Sequence, residues 1–345
     1  MRKKTETEVL CMKESALATI MEENTAILSR LANYLNLTPR AITGRMVKNL
    51  ARDCGVTNDE AFLALFSAAL GLDTVERADD RRTEQIYLRR GVKRLDPALY
   101  ANDPYVKTVG SLSGRLSNWE LKTNNYAPYE PFVRNSPILS PDFREIVQIG
   151  YFEKTFSFPA VLENGVEWMT VTPNEIETMK EPIAHARGRV LTLGLGLGYY
   201  AFHVSEKEEV SSVTVIERDK NVISLFENHI LPNFPHKEKI KIIQADALAF
   251  MEKELTATAF DSIFCDLWHD QSDGLPLYLR LKKAEDRAPA THFDYWIEPT
   301  LLSSLRLMVW ENFSAGSLSI KEADLPALLT DDALRDLAKK LKKAN

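Results

Sequence analysis

The chain is poor in cysteine, has no long apolar run and shows no excess of positive charge. Its 345 residues include three cysteines, Cys11, Cys54 and Cys265. An odd number without zinc-ligand spacing excludes a disulfide framework and a zinc finger, and reads as free thiols in a reducing cytoplasm. No stretch reaches the roughly 18 apolar residues of a membrane span. The basic opening of Met1, Arg2, Lys3 and Lys4 has no apolar signal core behind it. No membrane is expected, and cytoplasm is the default compartment. A formal net charge of −6 gives no overall basic footprint for nucleic acid. The local clusters Arg81-Arg82 and Arg89-Arg90 with Lys93-Arg94 read as a solvated face or a contact between domains, with a docking patch for an anionic substrate as the alternative. His185, His203 and His292 stand singly, so no metal site is expected.

What is present is a glycine run. Val190-Leu191-Thr192-Leu193 suits a buried strand and leads straight into Gly194, Gly196 and Gly198. Tyr199 and Tyr200 then open a helix, one of the two expected in its core. A strand, a glycine turn and a helix let a ligand approach bare backbone. Three further apolar runs follow: Ser212–Ile216 ending in Glu217, Ile240–Ile243 ahead of Asp246 and Ala247, and Phe260–Cys265 ending in Asp266. Val222, Ile223, Leu225, Phe226 and Ile230 recur between them at helical spacing. Strands alternating with helices predict a doubly wound, mostly parallel α/β sheet, its ligand at the carboxyl ends of the strands. Glu217 at the second strand tip can accept both ribose hydroxyls of an adenosine ligand. Asp266-Leu267-Trp268-His269-Asp270 places a base, an aromatic face and a histidine in five residues, making Asp266 and His269 catalytic candidates and Trp268 and Asp270 substrate contacts.

This segment, about residues 155–270, resembles the class I S-adenosylmethionine-dependent methyltransferases, and within them the spermidine-synthase-like branch. The resemblance implies a Rossmann-like fold and S-adenosylmethionine as cofactor. It implies that Gly194, Gly196 and Gly198 line the cofactor's methionine half; Tyr199 and Tyr200, by their place at the helix start, are candidates to bound that end. Glu217 would hold the ribose, Asp246 and Ala247 would flank the adenine, and Asp266 would open the substrate side. The turn signal Asn164-Gly165 within Ala160–Val171 fits the small β-hairpin that this branch carries before the sheet. Three positions depart from the pattern. Thr192 stands where methyltransferases place an acid. Leu197 stands where aminopropyltransferases place an aspartate. Glu175 to Met179 replaces their Tyr-His-Glu signature.

The function expected is methyl transfer from S-adenosylmethionine to a small-molecule acceptor. An aminopropyltransferase relative and a catalytically silent binding module remain open. A nicotinamide dehydrogenase fits worse, since its third glycine should come three residues after the second. Residues 1–100 read as a helical N-terminal domain. Thr38-Pro39 is read there as a helix start, and Thr57 to Glu60 as another. Leu50 to Thr57 has a helix-turn-helix flavour, but Asp59-Glu60 sits where a reading helix wants bases, so nucleic acid is not expected as a partner. Residues 101–154 read as a packed connector rich in proline and aromatics, 155–320 as the methyltransferase-like domain, and 321–345 as a C-terminal docking helix that leaves a homodimer open. No fifth strand is evident after Asp266; Pro299–Trp310 reads as a helix.

Overall fold

The computed structural model describes residues 14–255, 259–314 and 331–342. It opens with α1 (Glu14–Leu37), α2 (Gly44–Cys54) and α3 (Asn58–Ala69). Polar caps set where two of these begin. The Thr43 hydroxyl accepts the Met46 N–H ahead of α2, and Thr57 closes a reciprocal capping box with Glu60 ahead of α3. Thr38, the start expected from sequence, instead donates its N–H to the Tyr34 carbonyl and finishes α1. A helical stretch follows in which α4 (Ala78–Thr83) and α5 (Arg89–Gly91) are joined by a π-helical turn over Glu84–Leu88, and then the short α6 (Pro97–Ala101) and α7 (Pro104–Val109).

Seven strands lie around and after these helices: β1 (Val92–Arg94), β2 (Gly114–Leu116), β3 (Trp119–Tyr126), β4 (Phe132–Leu139), β5 (Glu145–Tyr151), β6 (Phe156–Glu163) and β7 (Val166–Thr170). They form two sheets, ordered β1-β5-β4 and β2-β3-β6-β7. Residues 101–154 thus carry four strands, where composition suggests only a connector. Pro137 obscures one of them. It lies on edge strand β4 where the register slips between Asn135 and Ile138, so no ladder donor is lost. Strands β6 and β7 turn through Asn164 (φ 52°) and Gly165 (φ 83°), the left-handed pair that a two-residue hairpin demands.

The second half alternates helix and strand: α8 (Pro173–His185), β8 (Gly188–Leu193), α9 (Tyr199–Ser205), β9 (Val210–Glu217), α10 (Lys220–His229), β10 (Ile240–Gln244), α11 (Ala247–Lys253), β11 (Ser262–Cys265), α12 (Gln271–Lys282), β12 (His292–Tyr295), α13 (Glu298–Ser314) and α14 (Asp332–Lys342). Its five strands are all parallel, in the order β10-β9-β8-β11-β12. The fifth strand is a correction to the sequence reading. β12 has four residues and two of them, His292 and Asp294, are polar, so it lacks the unbroken apolar run of a buried strand. Pro299–Trp310 lies within helix α13. No strand follows β12 among the described residues, and residues 315–330 lie outside them.

The helical start and the parallel sheet share a core. Leu17, Ile20 and Met21 of α1 belong to one apolar cluster with Leu191, Ile263, Leu301 and Leu337. Leu334 and Leu337 of α14 are buried in that cluster, which takes up part of the face that the sequence offers for docking; Ala338 and Leu341 lie outside the side chains described. Farther along α1, Ile27 and Leu31 join a second cluster around stacked Phe62 and Tyr151, whose ring centroids are 3.8 Å apart. Among the described residues Cys54 is exposed and Cys265 buried, both free, and no helix is long and apolar enough to cross a membrane.

A buried ion pair fastens β5 to α13. Arg306 Nε donates to Glu145 Oε1 at 2.6 Å, and Arg306 Nη1 donates to Asp331 at 3.1 Å. Both Arg306 and Glu145 are almost wholly buried. Arg306→Leu, which strands Glu145, is expected to lower the unfolding free energy by about 3–5 kcal/mol, and a double Glu145→Met, Arg306→Leu chain to recover much of that. Urea titrations check both; a single variant that loses less than about 1 kcal/mol contradicts the role given to the pair.

Candidate functional site

The strand order reverses between β8 and β11, and a cleft of about 330 Å³ opens at the carboxyl ends of the strands there. The glycine turn forms one wall. Gly194, with φ 96°, donates its N–H to Ile216 at 2.9 Å, and a Cβ on it would overlap the Asp266 carbonyl. Only glycine permits this approach between the ends of β8 and β11. Gly196, with φ 50°, faces Met169 on β7; a Cβ there would overlap the thioether sulfur. The same sulfur accepts the Leu197 N–H at 3.1 Å. A side chain of the hairpin thus rests on the turn.

Glu217 ends β9 and lines the cleft. One carboxylate oxygen accepts the Leu195 N–H at 3.3 Å and the other accepts the Asp219 N–H at 2.8 Å, so two backbone bonds hold it against the glycine turn. Asp246 caps α11 through the Ala249 N–H at 2.8 Å, and it lines the cleft with Ala247. Asp219 caps α10 and accepts the Trp119 indole N–H at 3.1 Å.

Asp266 follows β11 into the cleft. Across from it Glu175, in the first turn of α8, is 4% exposed, and its Oε1 has no hydrogen-bond partner among the described residues. Burial pushes the Asp266 carboxyl up to about 7. Burial, reinforced by the Asp266 charge, pushes Glu175 well above the ordinary carboxylate range. Both carboxyls therefore hold their protons to higher pH than an ordinary carboxylate does. Further acids, Glu163, Glu167, Glu217, Asp219 and Asp246, line the cleft, and among the described residues Arg218 is its single lysine or arginine. The field inside is negative, which attracts and holds cations.

Trp268 is 4% exposed and packs on Gly274, where a Cβ would stand 2.7 Å from its ring. It lines the cleft from the core side. His269 lies on the rim, its Nδ1 3.0 Å from the Trp168 carbonyl and its ring stacked on Trp168. Of the residues named from sequence, Gly194, Gly196, Glu217, Asp246, Ala247, Asp266, Trp268 and His269 therefore converge on one cleft.

Gly198, Tyr199 and Asp270 do not line it. Gly198 backs onto the Phe226 ring. Tyr199 is 3% exposed, and its hydroxyl donates to Asp103 at 2.9 Å, so it joins α9 to α7. Asp270 caps α12 through the Ser272 N–H at 2.7 Å and a capping box with Asp273. Thr192 is buried with its hydroxyl on the Gly194 carbonyl, and Leu197 is fully buried in the core. Neither supplies a charge to the cleft. Glu175 and Met169 are the residues that sequence reasoning misses. An acid in the first turn of a helix is ordinary, so only its burial opposite Asp266 distinguishes Glu175.

No family model matches the sequence, and no curated protein does. Among solved structures, similarity extends to spermidine synthase from Thermotoga maritima, at 15% identity over 58% of this chain and 62% of that one, with a TM-score of 0.34. A spermidine synthase in complex with the transition-state analogue AdoDATO matches at 16% identity over 57% of this chain and 64% of that one, with a TM-score of 0.35. A candidate O-methyltransferase from Klebsiella pneumoniae matches at 22% identity over 29% and 43%, with a TM-score of 0.23. The chain spans less than two thirds of the length of each, and similarity at these scores carries no argument about activity.

The acid pair ties stability to pH. An acid whose folded pKa lies above its unfolded value keeps its proton in the folded chain across that window, so stability falls as pH rises through it. For Asp266 the window runs from its ordinary 3.8 to about 7. Asp266→Asn is therefore expected to be more stable than wild type at about pH 8, with the gap closing towards about pH 4. Denaturation midpoints at the two pH values check this. An asparagine variant that is less stable at the higher pH overturns it.

Proposed function

We propose that this chain is an S-adenosylmethionine-dependent transferase that moves a methyl group to a small acceptor. The observation that carries the reading is convergence at the point where the strand order reverses. Bare backbone at Gly194 and Gly196, Glu217 at the tip of the second parallel strand, and the Asp266–Glu175 pair all face one cleft. Its volume is at the lower end for small-ligand pockets. When bound, S-adenosylmethionine supplies an electrophilic methyl group on a cationic sulfur. Glu217, already anchored by two backbone N–H groups, keeps lone pairs for ribose hydroxyls. Asp246 and Ala247 would flank the adenine. The acidic lining favours a cationic ligand. Asp266, partly ionised near neutral pH, takes the proton that a nucleophile releases. His269 on the rim would shield this exchange, and Trp268 would offer its ring face to the acceptor.

The fit has one condition. Met169 occupies the space over Gly196 and takes the Leu197 N–H, so a ligand that uses this part of the turn must displace a flexible side chain. That contact also favours a second reading, in which the fold is kept as a binding module whose glycine turn stays covered.

Thermal-shift measurements with S-adenosylmethionine, its demethylated product, the decarboxylated form and NAD separate these readings. The first two are expected to stabilise the wild-type chain, and Glu217→Ala to remove the effect while leaving the fold intact. Unchanged calorimetric affinity in that variant contradicts the cofactor assignment. With methyl-labelled cofactor and a small-molecule extract, Asp266→Asn is expected to slow transfer about 10²–10⁴-fold. Binding without transfer by the wild type favours the silent module.

A further inference from the structure

We propose that His185, His292 and Asp294 form a site for a divalent transition-metal ion, zinc by the chemistry of its donors, away from the cleft. The three residues meet although they are far apart in sequence, which corrects the expectation that the histidines stand singly. Strand alternation explains part of the meeting. His292 and Asp294 are two positions apart on edge strand β12, so both leave the same face of it, while Tyr295 enters the core. His185 is the last residue of α8, which packs against that strand. The carboxylate stands between the two rings. Its Oδ1 is 3.0 Å from His185 Nδ1, and its Oδ2 is 3.0 Å from His292 Nε2. The rings themselves meet edge to face with centroids 4.9 Å apart. One ligand atom from each residue lies within 4.8 Å of the others, the one such cluster among the described residues.

His292 Nε2 is the atom that points to an ion. It is shielded from solvent, and its 3.0 Å approach to Asp294 lacks hydrogen-bond alignment, so it has no partner among the described residues. An unsatisfied buried nitrogen is costly. An ion that accepts its lone pair removes the cost. Zinc binds imidazole nitrogen and carboxylate oxygen at about 2.0–2.2 Å, which sets neighbouring ligand atoms about 3.4 Å apart around a tetrahedron. The donors lie within 4.8 Å of one another, somewhat wider than that spacing. The His185 and His292 side chains are 45% and 41% exposed, so an ion can enter and water can complete its shell. Two imidazoles and one carboxylate suit zinc better than the hard, oxygen-seeking calcium or magnesium. The bound ion would tie α8 to β12. These two elements also lead into the cleft, through Glu175 and through Trp296, whose indole N–H donates to Thr178 of α8 at 3.1 Å.

The test uses the full chain without an affinity tag, stripped by a chelator and titrated with zinc against a chromogenic competitor. About one equivalent of zinc is expected to bind and to raise the melting temperature. His185→Gln and His292→Gln keep side-chain bulk, and each is expected to weaken binding by at least about tenfold. Cobalt in place of zinc is expected to give a visible absorption band that both variants lose. Wild-type protein that takes up no zinc, or variants that bind it as tightly as wild type, overturn the proposal.

Discussion

The cleft depends on the missing side chain at Gly194. Its N–H reaches across to β9, at the Ile216 carbonyl, while the Asp266 N–H reaches back to the Leu193 carbonyl. Three strand ends are thereby stitched together by backbone alone. Any Cβ at Gly194 would meet the Asp266 carbonyl and separate β8 from β11. With the ends held together, Glu217 and Asp266 come to opposite sides of one space, and the glycine turn lies between them. The shape of the cleft follows from this approach of main chain to main chain.

What the fold then tolerates is an electrostatic cost. Two carboxyl groups, Asp266 and Glu175, are drawn from water with no ion pair to either among the described residues, and the surrounding acids make matters worse. Such a pair weakens a folded chain unless a proton or a cation compensates. Elsewhere the molecule avoids this. Glu145 has Arg306, Glu84 has Arg89 and Glu130 has Arg40. The acids paired in the scaffold thus contrast with the couple in the cleft.

How much of this was legible in the residues depended on the range of the interaction. The four apolar runs ending in Gly194, Glu217, Asp246 and Asp266 are local patterns, and the parallel sheet could be read from them. The fifth strand escaped because His292 and Asp294 interrupt its apolar pattern, and its other face is covered by the rest of the chain. Tyr199 follows the glycine turn directly, yet helical geometry turns it towards Asp103 and away from the cleft. Asp270 looks like a site residue by its neighbours and is a helix cap by its hydrogen bonds. Glu175 is the reverse, an ordinary first-turn acid whose significance comes from a residue far along the chain.

The packing of α1 carries a consequence for how the molecule is made. Leu17, Ile20 and Met21 find their partners in a cluster completed by Leu301 of α13 and Leu337 of α14. On a ribosome, the first of these helices emerges long before the last. Its apolar stripe has to stay covered, by transient collapse or by a chaperone, until the far elements arrive. The half of α1 that packs around Phe62 and Phe66 can settle early, and the other half has to wait.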